Sequence, residues 1–220
     1  LTKKQRHKLR VQQVRRQKIF LTCLFLLIVG CILLRFSKFS GRQEEAHQIN
    51  AACEAYRDEV SSEAAQYDMS DYVDLLLAVM MQESSGQGTD PMQSSEGAYN
   101  TRYPQQPNGI TDPSYSISCG IQELKYALDK AGCTGPTDLS KIRLALQAYN
   151  FGADSYFAYL EENGQTVWTA QSAQAFAQMA SGGTQRDEDD PLHDPAGPWD
   201  YGDQYYPDHV LRYYHLDNNS

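Results

Sequence analysis

Apolar residues are arranged along this chain in three ways. Ile19 to Leu34, IFLTCLFLLIVGCILL, is an apolar run without a charge, flanked by Lys18 and Arg35. Leu75 to Met81, LLLAVMM, is apolar on every side of a helix, as a segment buried all round must be. Elsewhere apolar positions recur at spacings of three and four among polar ones, the pattern of amphipathic helices. Ile49, Ala52, Tyr56 and Val60 place such a stripe on a helix within Glu44–Tyr67, which is either a stalk or part of the domain. Ser70 or Asp71 then caps a helix that runs to Glu83. Residues 84–113, rich in Gly, Pro, Ser and Asn, form a long irregular loop, and long loops in compact domains are often functional.

Further helices are predicted at Ser114–Lys130, Leu139–Tyr149, Ala153–Glu162 and Thr169–Ala180. A polar insertion over 181–204 precedes a last helix, Pro207–Tyr214. No stretch alternates with the period of a strand, so the class is all-α.

Charge divides the chain. Residues 1–42 hold 11 Lys+Arg and no acid, whereas residues 43–220 hold 8 Lys+Arg against 28 acids, a net of -20. The acidic part excludes nucleic acid as a partner, which requires a basic face. Eight basic residues precede the apolar run and three follow it (Arg35, Lys38, Arg42), which places the N-terminus in the cytoplasm and the acidic domain outside the cell membrane. The run spans only about 24 Å, and snorkelling by its flanking basic residues closes the gap to a hydrocarbon core of ~30 Å. A cleaved signal peptide fits less well, because no small-x-small site follows. The expected organisation is a basic segment (1–18), a single transmembrane helix (19–36), a linker (37–47) and a helical domain (48–216).

Of the five cysteines, Cys23 and Cys31 lie in the apolar run, and Cys53, Cys119 and Cys133 lie beyond it. Cys119 and Cys133 are the nearest pair, although spacing alone establishes no disulfide. There is no CxxC or HExxH, so no metal or cofactor is implied. Asp187–Asp190 with Asp194 lack the ligand spacing of a calcium loop and read as a solvated stretch. No GxSxG element is present.

Glu83 is the outstanding chemical candidate. It is the carboxylate at the carboxyl end of an otherwise apolar helix. The helix dipole disfavours an ion there, and so does burial, so both raise its pKa toward that of a general acid at neutral pH. The alternative is the commonest fate of a helix-terminal Glu, simple solvation.

Three short motifs sit at helix ends: Glu83-Ser84, Ser118-Cys119-Gly120-Ile121-Gln122 and Ala148-Tyr149-Asn150-Phe151-Gly152. In this order the chain resembles the goose-type lysozyme and lytic transglycosylase superfamily. The Gly120-Ile121-Gln122 copy is degenerate against the family's Gly-Leu-Met-Gln. The longer strings MMQESSGQGTDPMQSSE, PNGITDPSYSISCGIQ, LALQAYNFG and YGDQYYPDHVLRYY look like the muramidase domain of two-domain wall hydrolases carried by Gram-positive integrative conjugative elements. Those relatives often continue into a cysteine endopeptidase domain, which these 220 residues do not include.

The resemblance implies a lysozyme-like fold. It also implies a substrate, the β-1,4 bond from N-acetylmuramic acid to N-acetylglucosamine in peptidoglycan, opened locally for a conjugative secretion machine. Glu83 would protonate the leaving oxygen. A second carboxylate, where one is used, would be Asp90 first, then Asp112 or Glu96; without one, the muramic 6-hydroxyl attacks and leaves a 1,6-anhydro end. Asp90 and Asp112 both precede proline, where an aspartate is more often a turn residue than a catalyst. Ser84, Gln93, Ser118, Gln122, Tyr149 and Asn150 would hold sugar, though Tyr149 also reads as a core aromatic and Asn150 as a helix cap. The competing function is a non-catalytic glycan-binding scaffold in a secretion complex.

Overall fold

A computed structural model describes residues 47–190 and 193–216. The predicted basic segment, the transmembrane helix and nearly all of the linker lie outside the described residues. Among the described residues no helix is long and apolar enough to cross a membrane.

The helices are α1 (Ala51–Glu54), α2 (Arg57–Ala64), α3 (Val73–Glu83), α4 (Pro113–Ala131), α5 (Leu139–Phe151), α6 (Ala153–Glu162), α7 (Ala170–Ala180) and α8 (Tyr206–Leu211). The only strand-like pairing among the described residues is one antiparallel bridge, Gln185 to Trp199. The all-α expectation holds, and five of the predicted helices lie within two residues of their places.

α3 is the centre. Leu75, Leu76, Leu77, Ala78, Val79 and Met80 are all wholly buried. Each large side chain among them stabilises the fold by roughly 1.5–3 kcal/mol. α4 packs along α5, and Ile117, Ile121, Leu124 and Leu128 of α4 are buried in the core. α5 also meets α8, which crosses α3 near its carboxyl end.

Two expectations are corrected. The helix foreseen over Glu44–Tyr67 is two short helices. Asn50 caps α1, accepting from the amide of Cys53 at 2.8 Å, and the chain turns at Ala55–Tyr56 before α2. Cys53, Val60 and Ala64 are buried against the core, so this region belongs to the domain and is no stalk. Nor does Ser70 or Asp71 cap α3: both lie in a 3-10 turn, Ser70–Tyr72, and Tyr72 at the cap makes no side-chain capping bond. Cys53, Cys119 and Cys133 are free thiols.

Candidate active site

The apolar helix α3 delivers Glu83 to the protein surface at its last residue. There Ser84 leaves the helix; its hydroxyl donates to Pro91 O at 2.8 Å and accepts from Gly86 N at 3.0 Å. Ser84 therefore fastens the long loop to the helix end and lines neither cavity beside Glu83.

Glu83 opens onto two cavities. One, of about 550 Å³, is lined by Arg186, His193, Asp203, Tyr206, His209 and Arg212 among others. The other, of about 590 Å³, is lined by Gln93, Glu96, Tyr99, Glu123, Tyr126, Tyr149, Asn150 and Asp154 among others. The first carries the cationic side chains; the second combines acids with tyrosines and holds no Lys, Arg or His. Apolar ring faces beside polar groups suit a sugar, whose own faces are apolar and edges polar.

Glu83 is half-buried and lines both cavities. Desolvation pushes its pKa up from 4.5 to about 7, and the nearby Asp203, Asp90 and Glu123 push in the same direction. A hydrogen bond donated by the Tyr206 hydroxyl to Glu83 Oε1 acts against them. The result is a carboxyl group protonated in a large fraction of molecules at neutral pH, poised as a proton donor. Tyr206 stacks on Tyr149 with ring centroids 6.2 Å apart, and the Tyr149 hydroxyl donates to Met92 O at 2.9 Å.

The predicted site residues separate into two groups. Glu83, Gln93, Tyr149 and Asn150 are brought to one cavity. Asn150 faces both cavities while its Oδ1 accepts from Asp203 N at 2.7 Å. Gln93 donates to Asp90 O and to Asn108 Oδ1.

The others lie elsewhere. Asp90 is 1% exposed, and both its oxygens are occupied. Oδ1 accepts from Ser94 N (3.0 Å) and Ser116 Oγ (2.6 Å), and Oδ2 accepts from Ser95 N (3.2 Å) and Ser95 Oγ. It lines neither cavity and ties the loop to α4. Asp112 caps α4, accepting from the amides of Ser114 and Tyr115. Ser118 and Gln122 face a different hollow, and Gln122 donates back to the Ser118 carbonyl at 3.1 Å. Gly120 of the same motif has a packing role, since a Cβ there would meet Met92 Cβ at 2.7 Å.

Three features were not foreseen. The first is Glu123 on α4, whose pKa burial raises from 4.5 to about 7 against a hydrogen bond from the Ala98 amide. The second is Tyr206. The third is the 181–204 segment, which forms a cavity wall. Thr184–Arg186 pairs with Pro198–Asp200, and Arg186 donates to Gly202 O at 3.0 Å. Gln147 and Asn150 of α5 grip the Asp203 backbone from both sides, at O and at N. Asp203 in turn accepts from His209 Nδ1 at 2.5 Å, which raises the histidine's pKa. Only a histidine, a tyrosine-rich stretch and an unremarkable Gly-Asp marked this wall in the sequence.

Comparison with known proteins places the chain among lysozyme-like proteins. The Lysozyme-like family is matched over residues 51–214. The bifunctional muramidase/DL-endopeptidase CwlT of Bacillus subtilis (strain 168) is 35% identical over 173 residues, covering 79% of this chain and 43% of that protein. Pneumococcal vaccine antigen A of Streptococcus pneumoniae serotype 4 is 31% identical over 146 residues, 64% of this chain and 65% of its own. A solved structure from Staphylococcus aureus subsp. aureus Mu50, described as similar to a lipoprotein of the NLP/P60 family, superposes with a TM-score of 0.64 at 27% identity. It covers 79% of this chain and 56% of that one. The chain thus spans about half the length of the first of these relatives and of the solved structure.

Proposed function

The chain belongs to the lysozyme-like family, and from that premise we propose that it is a peptidoglycan glycosidase cleaving the β-1,4 bond between N-acetylmuramic acid and N-acetylglucosamine. The observation that carries this assignment is Glu83: a half-buried carboxyl group with a pKa near 7, at the junction of two polar cavities, oriented by the Tyr206 hydroxyl. The glycosidic oxygen is a poor leaving group and needs a proton as the bond breaks. Glu83 supplies it, while Tyr149, Asn150 and Gln93 form the walls against which sugar residues rest. The name of the Bacillus relative points to the same chemistry.

Membrane anchoring through residues 19–36, with the domain outside the cell, is proposed from the basic segment and apolar run of the sequence. Local opening of the wall for a conjugative secretion machine is proposed from the resemblance to wall hydrolases of conjugative elements.

The deciding experiment is mass spectrometry of purified peptidoglycan after digestion. New muramic ends, lost by about a thousandfold in a folded Glu83→Gln variant, are expected. Glycan binding without new ends would replace the glycosidase assignment with the scaffold.

A further inference from the structure

The glycosidase assignment leaves open what activates the attacking oxygen, and this inference rests on that assignment. We propose that Glu123 is the general base, accepting the proton of a water that attacks the muramyl C1 while Glu83 protonates the departing oxygen.

Glu123 and Glu83 line the same cavity. Glu123 is held but not saturated: Oε1 accepts from the Ala98 amide at 2.9 Å, and Oε2 accepts no hydrogen bond from the described residues. An oxygen with a free lone pair facing a cavity is what a base requires. The fold makes room for it at Gly97, where a Cβ would lie 1.8 Å from Glu123 Oε1.

The other acids fit less well. Asp90 has both oxygens occupied within the protein. Glu96 is exposed and takes no hydrogen bond from the described residues. Asp154 is paired with Lys130 at 2.6 Å and takes the Tyr126 hydroxyl. Glu123, with a pKa near 7, is ionised in a useful fraction of molecules at neutrality.

The step balances. A water O–H bond breaks and its proton goes to Glu123. The water oxygen forms a bond to C1. The C1–O4 bond breaks, its electron pair stays on O4, and O4 takes the proton of Glu83. Glu83 ends as carboxylate and Glu123 as acid, and exchange with solvent restores both. The product is a reducing muramic end. Because one group must be protonated and the other not, the rate peaks near neutral pH.

The test uses the full chain in detergent, soluble glycan fragments, and pH profiles from about pH 5 to about pH 9. Glu123→Gln keeps an oxygen for the Ala98 amide, so a purely structural role would leave the rate unchanged. We expect kcat to fall by about a hundredfold, KM to stay within about twofold, and the acid limb of the profile to vanish. Gly97→Ala, whose Cβ would displace the Glu123 carboxylate, should reproduce the fall in kcat. A Glu123→Gln kcat within about threefold of the parent, or 1,6-anhydro ends from the parent, overturns the proposal. Loss in Glu83→Gln but not in Glu123→Gln leaves the glycosidase assignment standing and removes only the base. A parent that makes no new ends removes both.

Discussion

Asp90 and Glu123 are two acids close enough to Glu83 to raise its pKa, and they live in opposite conditions. The region around Asp90 is a buried knot of serines in which each carboxylate oxygen has two donors. The region around Glu123 is a cavity wall in which, among the described residues, one amide donates to the carboxylate. A buried carboxylate surrounded by donors holds a fold together. One deprived of donors costs stability when ionised and retains chemical capacity. The same functional group, a carboxylate, thus serves folding a short distance from where it would serve catalysis.

Two further substitutions and one double variant probe this contrast, the largest effect first. Asp90→Asn should destabilise the domain by about 2–4 kcal/mol, since an amide replaces acceptors of buried donors. Urea unfolding measures it, and a neutral Asp90→Asn would erase the distinction between the two regions.

Stability against pH comes next. Glu83 and Glu123 both rise from 4.5 to about 7 on folding, so the folded state prefers their protonated forms. Their contribution is fully present below about pH 4.5 and is lost as pH climbs through 7. With allowance for partial exposure, each accounts for on the order of 2 kcal/mol. The double variant Glu83→Gln/Glu123→Gln should flatten thermal stability between pH 5 and pH 8, roughly, and be the more stable protein at the alkaline end. A slope identical to the parent's would mean that neither carboxyl is strained by its surroundings.

Tyr206→Phe is the mildest change. It removes a donor that favours ionised Glu83, so the Glu83 pKa should rise and the alkaline limb of the rate profile should move to higher pH. The stability cost should be about 1 kcal/mol. A shift toward lower pH would contradict the sign of that hydrogen bond.

Much of this was legible from sequence, for identifiable reasons. α3 and Glu83 stood out because a helix apolar on every side through its middle keeps its charges at its ends, Asp74 at the entry and Glu83 at the exit. The longer helices were equally plain, because periodicity is a local signal. The function of Asp90 was not legible: its partner Ser116 lies 26 residues away on α4, and no spacing rule connects them. Glu123 was overlooked because, beside Gln122, it reads as the wet face of an amphipathic helix. Only the approach of Gly97 and Ala98 turns that face into a wall. Gln122 and Ser118 followed the motif on paper, yet the helix turns them toward another hollow. The 181–204 segment looked like a solvated insertion because its anchors, Gln147 and Asn150, belong to α5.

Glu83 sits between two cavities, not at the blind end of one, with Asn150 and Gly202 shared by both. A polymer gripped on each side of the proton donor need not present a terminus. Under the proposed glycosidase function such a trough would make interior cuts, each releasing tension over a long stretch of strand, and a few would suffice to make a hole. Trimming from an end would thin a wall evenly; cutting from the middle perforates it.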